Sequence, residues 1–98
     1  MTDALMTQIE IIKLEKDGCP PCKWLGRTLA DNAQRLESEG ATITTLNISE
    51  NPSLVDEYNI TSVPVLVFKR NGIEITRVPG NVNFDDVLAA IEFAKFKK

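Results

Sequence analysis

Asp17-Gly18-Cys19-Pro20-Pro21-Cys22-Lys23-Trp24 holds both cysteines of a 98-residue chain, two residues apart. A tetrahedral zinc or iron–sulfur site takes about four sulfur or imidazole ligands. This chain supplies two sulfurs and no histidine, so neither a metal nor a cofactor is expected. Two cysteines at this spacing, between a strand and a helix, can close and open a disulfide with each other, which points to dithiol–disulfide exchange. An inert disulfide is the competing structural reading, although so short a loop constrains little unfolded-chain entropy. A zinc clip shared between two chains is a further alternative.

Upstream, Gln8-Ile9-Glu10-Ile11-Ile12-Lys13-Leu14-Glu15 is rich in isoleucine and free of Gly and Pro, which predicts a first strand ended by Asp17-Gly18. Downstream, Cys22, Leu25, Leu29, Ala33 and Leu36 recur at three- and four-residue steps. They mark one face of a helix that begins at about Pro21 and is terminated by Gly40. Thr42 to Ile48 is β-branched and reads as a second strand; Asn51-Pro52-Ser53 opens a short helix through about Tyr58. Val63-Pro64-Val65-Leu66-Val67-Phe68 is almost continuously apolar, as a central strand buried on both faces would be. Asn71-Gly72 predicts a hairpin into the alternating edge strand Ile73–Val78. After Pro79-Gly80 a last helix is capped by Asn83, with Asp86 near its positive end. Its buried face is Phe84, Val87, Leu88 and Ile91. The order β-α-β-α-β-β-α implies one α/β domain over residues 1-98, a mixed four-stranded sheet flanked by helices.

A net charge of −3 is too small, and of the wrong sign, for a nucleic-acid reader. The basic Lys95 to Lys98 stretch reads as a solvated helix end whose charge complements the helix dipole. No apolar run approaches the roughly 18 residues of a membrane span. Met1 to Thr7 shows neither a basic start nor an apolar stretch of the signal-peptide kind, so a cytoplasmic protein is expected. Structural disulfides are rare there, which favours a working pair over an inert one.

Further landmarks agree with the cysteine pair. Leu46-Asn47-Ile48 is followed by Asn51-Pro52, Tyr58, Ile60 and Ser62; Val63-Pro64 places a proline 45 positions after Cys19; Asn71-Gly72 and Gly80 follow in step. In these features the chain resembles the thioredoxin family over about Ile9 to Phe96. The resemblance implies the thioredoxin fold, a cis bond at Val63–Pro64 and a redox-active Cys19–Cys22 disulfide. It also implies protein disulfides as substrates, a reductase of the thioredoxin-reductase kind or glutathione as electron donor, and a monomer. The chain departs from the family pattern in lacking its usual first strand and helix, which makes it a minimal, glutaredoxin-sized version. Pro20-Pro21 replaces the common Gly-Pro, and Gly18 stands where a tryptophan usually precedes the first cysteine. Lys13 occupies the place of a buried acid, and Thr45 that of its lysine partner. A glutathione-linked glutaredoxin, a thiol oxidant and a non-catalytic binding subunit remain alternatives. Only Val63-Pro64 and Asp85-Asp86 suggest a glutathione site.

The attacking species in such chemistry is a thiolate. Cys19 lies at the N-terminal edge of the helix, where the dipole and the charge of Lys23 favour an ionised sulfur, so it is expected to be the exposed nucleophile. Cys22, one turn inside, is expected to resolve the mixed disulfide. Pro20 and Pro21 remove two backbone donors and stiffen the ring. By resemblance, Pro64 packs beside the disulfide, Val63 pairs through its backbone with an extended substrate, and Gly80 allows close approach. Trp24 reads first as core or groove wall, and is also a substrate-contact candidate. No histidine is present to take the Cys22 proton, and Lys13 and Glu15 read first as solvated strand residues.

Overall fold

The computed structural model describes residues 8–80 and 82–98, so the expectation drawn from Met1 to Thr7 lies outside the described residues. In chain order the elements are β1 (Ile9–Glu15), α1 (Pro20–Asp31), α2 (Ala33–Ser38), β2 (Ala41–Asn47), α3 (Leu54–Glu57), β3 (Val65–Arg70), β4 (Ile73–Pro79) and α4 (Phe84–Phe96). The sheet order is β2-β1-β3-β4, with β1 parallel to β2 and antiparallel to β3, and β3 antiparallel to β4. This is the mixed four-stranded α/β architecture that the hydrophobic pattern implies.

The two central strands bury both faces, and period-two alternation sorts their side chains. Ile9 and Ile11 of β1 with Leu66 and Phe68 of β3 face one core, closed by Leu25 and Leu29 of α1 and by Val87 and Ile91 of α4. Ile12 and Leu14 with Val65 and Val67 face the other, closed by Leu54 and Tyr58. At the hairpin Asn71 and Gly72 both have positive φ, 53° and 79°, as the tight turn between antiparallel strands demands. Ile75 is an extra residue in β4, between the Phe68–Thr76 and Lys69–Glu74 pairs.

The single long helix expected after the cysteines is in fact two. Asn32 leaves the helical region at φ −115°, ψ 22°. Its side-chain Nδ2 donates to the carbonyl of Thr28 at 2.8 Å, while its backbone N–H turns to Leu29. A short polar side chain has thus captured the carbonyl that the next helical turn would have used. One consequence is that Ala33, expected on the buried face, is exposed, whereas Leu36 remains buried.

Both ends of α4 are tied down. Asn83 Oδ1 accepts the Asp86 N–H at 2.9 Å, as a capping residue should. At the other end Arg70, from the end of β3, donates to the carbonyls of Ala94 (2.7 Å), Lys95 (3.0 Å) and Lys97 (2.6 Å). The guanidinium therefore satisfies carbonyls that have no partner within the helix, a role that the terminal lysines alone do not fill. Glu39, just after α2, binds Arg35 and Lys95 and so joins α2 to α4.

Replacing Arg70 with Met keeps the stem and strands those carbonyls. Unfolding in urea should show a loss of about 1–3 kcal/mol. The Lys95 and Arg35 hydrogen bonds hold the Glu39 carboxyl below its ordinary value of 4.5. A group so lowered stabilises the fold above its unfolded-state value, and that contribution is lost as pH falls through the folded one. Glu39→Gln should therefore be less stable than wild type at about pH 7, and the gap should narrow towards about pH 3, read from paired urea titrations.

Candidate active site

An α-helix begins with four backbone N–H groups that have no partner inside it. Here Pro20 and Pro21 occupy the first two positions and have no N–H to leave unpaired. The N–H of Cys22 donates to Cys19 Sγ at 3.2 Å, and the N–H of Lys23 donates to the Cys19 carbonyl, also at 3.2 Å. Cys19 is thus the capping residue of α1, with extended backbone and a sulfur where a serine or aspartate oxygen usually sits. The two sulfurs are joined as a disulfide, with Cα atoms 5.2 Å apart.

Cys22 is 2% exposed, on the inner face of α1 with Leu25 and Leu29. Cys19 was expected at the surface but is only 5% exposed. Its sulfur is bonded to that of Cys22 and accepts the Cys22 N–H. Of the two places expected for Trp24, core or groove wall, its 62% exposure excludes the core, because it lies off the face that carries Cys22 and Leu25.

The Val63–Pro64 bond is cis, and Pro64 is fully buried where β3 is about to begin. The Pro64 carbonyl accepts the N–H of Gly80 at 2.8 Å, which ties the loop before β3 to the end of β4. Gly80 has φ +81°, and a Cβ built on it would meet nothing within 4 Å. The glycine is thus required by the backbone, and the space beside it is open.

Lys13 departs from the solvated reading and lies buried, as the place the resemblance gives it implies. It is not solvated: it is 5% exposed, on the same face of β1 as Ile9 and Ile11, and it pairs with half-buried Glu15. Opposite it stand Thr45 of β2 and Leu66 of β3. Its ammonium lies under α1, 3.2 Å from where a Cβ on Gly26 would be. A mid-helix glycine four residues after Cys22 is the sequence signal that could have located this contact. Among the described residues no group of three or more His, Cys, Asp or Glu is placed to hold a metal ion.

Residues 3–93 match the family model described as Thioredoxin. The chain is similar to the thioredoxin of Chlamydia caviae, with 28% identity over 89 residues, covering 89% of this chain and 83% of that one. It is also similar to the thioredoxin of Staphylococcus aureus, with 29% identity over 72 residues, covering 74% and 68%. Among solved structures, thioredoxin Mala s 13 of Malassezia sympodialis superposes with a TM-score of 0.76 at 23% identity, over 90% of this chain and 76% of that one. Thioredoxin-2, a component of the malaria parasite's protein secretion machinery, gives a TM-score of 0.76 at 17% identity, over 88% and 82%. At these identities the structures share the fold. The bonded cysteine pair at the start of α1 supplies the equipment of a thiol–disulfide oxidoreductase in general. With the family model spanning nearly the whole sequence around that pair, the chain belongs to the thioredoxin family.

Proposed function

We propose that this chain reduces disulfides in protein substrates, with Cys19 as the attacking thiolate and Cys22 as the resolving thiol. The observation that carries the reading is the hydrogen bond from the Cys22 N–H to Cys19 Sγ at the helix start. A donor aimed at that sulfur, with the positive end of α1 behind it, favours a negative charge there once the disulfide opens. Lys23, exposed on the next position, adds to the same field.

The reaction runs in two exchanges. Cys19 thiolate attacks one sulfur of the substrate disulfide; a Cys19–substrate bond forms, the substrate's own S–S bond breaks, and the second substrate sulfur leaves as a thiolate. Cys22 then gives up its proton and attacks Cys19 Sγ. The mixed bond breaks, the first substrate sulfur leaves, and Cys19 and Cys22 end bonded. Two electrons have passed to the substrate. A reductase dithiol, or glutathione, opens the pair again. An extended substrate segment lies along Val63 and passes Gly80, where the open space accepts a second backbone, and Trp24 offers it an exposed aromatic face. Pro64 holds the floor beside the pair. The cytoplasm is the compartment in which such a pair would be kept reduced.

Turnover of a disulfide-bonded protein such as insulin, with dithiothreitol as reductant, tests this. Cys19→Ser should abolish it. Cys22→Ser should slow it on the order of tenfold or more and accumulate a substrate adduct at Cys19, seen by intact mass. Undiminished turnover by Cys22→Ser removes the resolving role. If Trp24 fluorescence shows that the pair never opens and closes reversibly in thiol/disulfide buffers, the enzymatic reading falls and a binding subunit replaces it.

A further inference from the structure

Two local oddities meet under α1. Lys13 is the one buried charged side chain among the described residues, and it sits on a strand face whose neighbours Ile9 and Ile11 are fully buried. An ammonium in a core is costly, and an apolar side chain of similar length would fit the pattern better. Gly26 lies in the middle of α1, where glycine is a poor helix former. Any larger residue there would bring its Cβ to 3.2 Å from the Lys13 ammonium. Each oddity accounts for the other: the glycine makes room for the charge.

The location is close to the chemistry. Cys22 and Gly26 are four residues apart and share one helix face, so the charge lies about one turn, roughly 6 Å of helix rise, from the level of Cys22. The ammonium also borders a cavity of about 440 Å³ between α1, α2 and β2. Its lining combines Glu37, Thr42 and Thr45, all exposed, with apolar Leu29, Leu36 and Ile43.

We infer that Lys13 is a positioning residue for the resolving step: its ammonium favours the thiolate of Cys22, and Glu15 limits that effect by sharing the charge. The inference rests on the proposed roles of Cys19 and Cys22. In the mixed disulfide, Cys22 must lose its proton to water before its sulfur attacks Cys19 Sγ and expels the substrate sulfur. A positive charge beneath the helix lowers the cost of that proton loss; the Glu15 carboxylate partly cancels it. The other groups facing the pair are Thr45 and Leu66 opposite Lys13, Asn47 opposite Glu15, and Glu37 across the cavity. Asn47 is also held by Asp17. Lys23 and Arg27 of α1 are exposed and screened by solvent.

The two members of the pair therefore have opposite signs, and the test reads them separately. Reduced full-length protein is mixed with excess 5,5′-dithiobis(2-nitrobenzoate) in a stopped-flow instrument across a pH series. The first release of thionitrobenzoate reports attack by Cys19. The second, independent of reagent concentration, reports attack by Cys22. Lys13→Met should move the pH midpoint of the second phase upward by on the order of one unit, the scale on which a single nearby charge acts. Lys13→Arg should restore it, and Glu15→Gln, which keeps shape and an acceptor oxygen, should move it downward. The first phase should change little in all three. Coincident midpoints, or shifts of the same sign for Lys13→Met and Glu15→Gln, overturn the inference. Absence of any second phase in the wild-type protein instead removes the proposed function. Glu15 lies at the half-exposed rim, so Glu15→Gln keeps the test decisive even if Lys13→Met fails to fold.

Discussion

The start of α1 is where fold and chemistry become the same problem. A helix that begins at the rim of a buried sheet must dispose of backbone N–H groups that have no partner within it. This chain does so with two prolines that lack the group and one cysteine that accepts what is left, through its sulfur and its carbonyl. The capping atom is the same atom that the proposed exchange uses as nucleophile. The hydrogen bond that begins the helix and the field that favours a thiolate therefore cannot be altered independently.

The sheet holds that helix in register. β1 is central, paired on one side in parallel and on the other antiparallel, and its end delivers the chain to Cys19. β3 is equally central, and the cis peptide bond that precedes it lies beside the Gly80 link to β4. Loop and turn thus converge at one end of two strands buried on both faces. Positioning a site from rigid strands in this way leaves its geometry little slack.

Much of this was legible in the sequence, for a simple reason. Runs such as Val65–Phe68, the Asn71-Gly72 pair and the spacing of Cys22, Leu25 and Leu29 are periodic or local signals, and local rules decide them. Cys19 and Cys22 were legible because no competing ligand exists in the chain. The misses are contacts between residues distant in sequence, or choices between two local options. Asn32 ends α1 because its side chain wins a carbonyl from the backbone, a contest that apolar spacing does not report. Arg70 finds the end of α4 across more than twenty residues. Lys13 looked like a solvated strand residue because its polarity suggested water. Its inward direction follows from Ile9 and Ile11, two and four positions earlier, but only once the buried face is known.

The prolines between the cysteines carry a consequence for what partners meet. Each proline fixes its own φ, and both belong to the first turn of α1. Opening the sulfur–sulfur bond therefore releases two side chains but very little backbone freedom, so reduction carries a small gain in conformational entropy. The backbone of that first turn would thus look much the same to an incoming partner in either state. Discrimination between the spent and the recharged form then falls to the two sulfurs themselves, their charge and their reactivity, rather than to any change of shape.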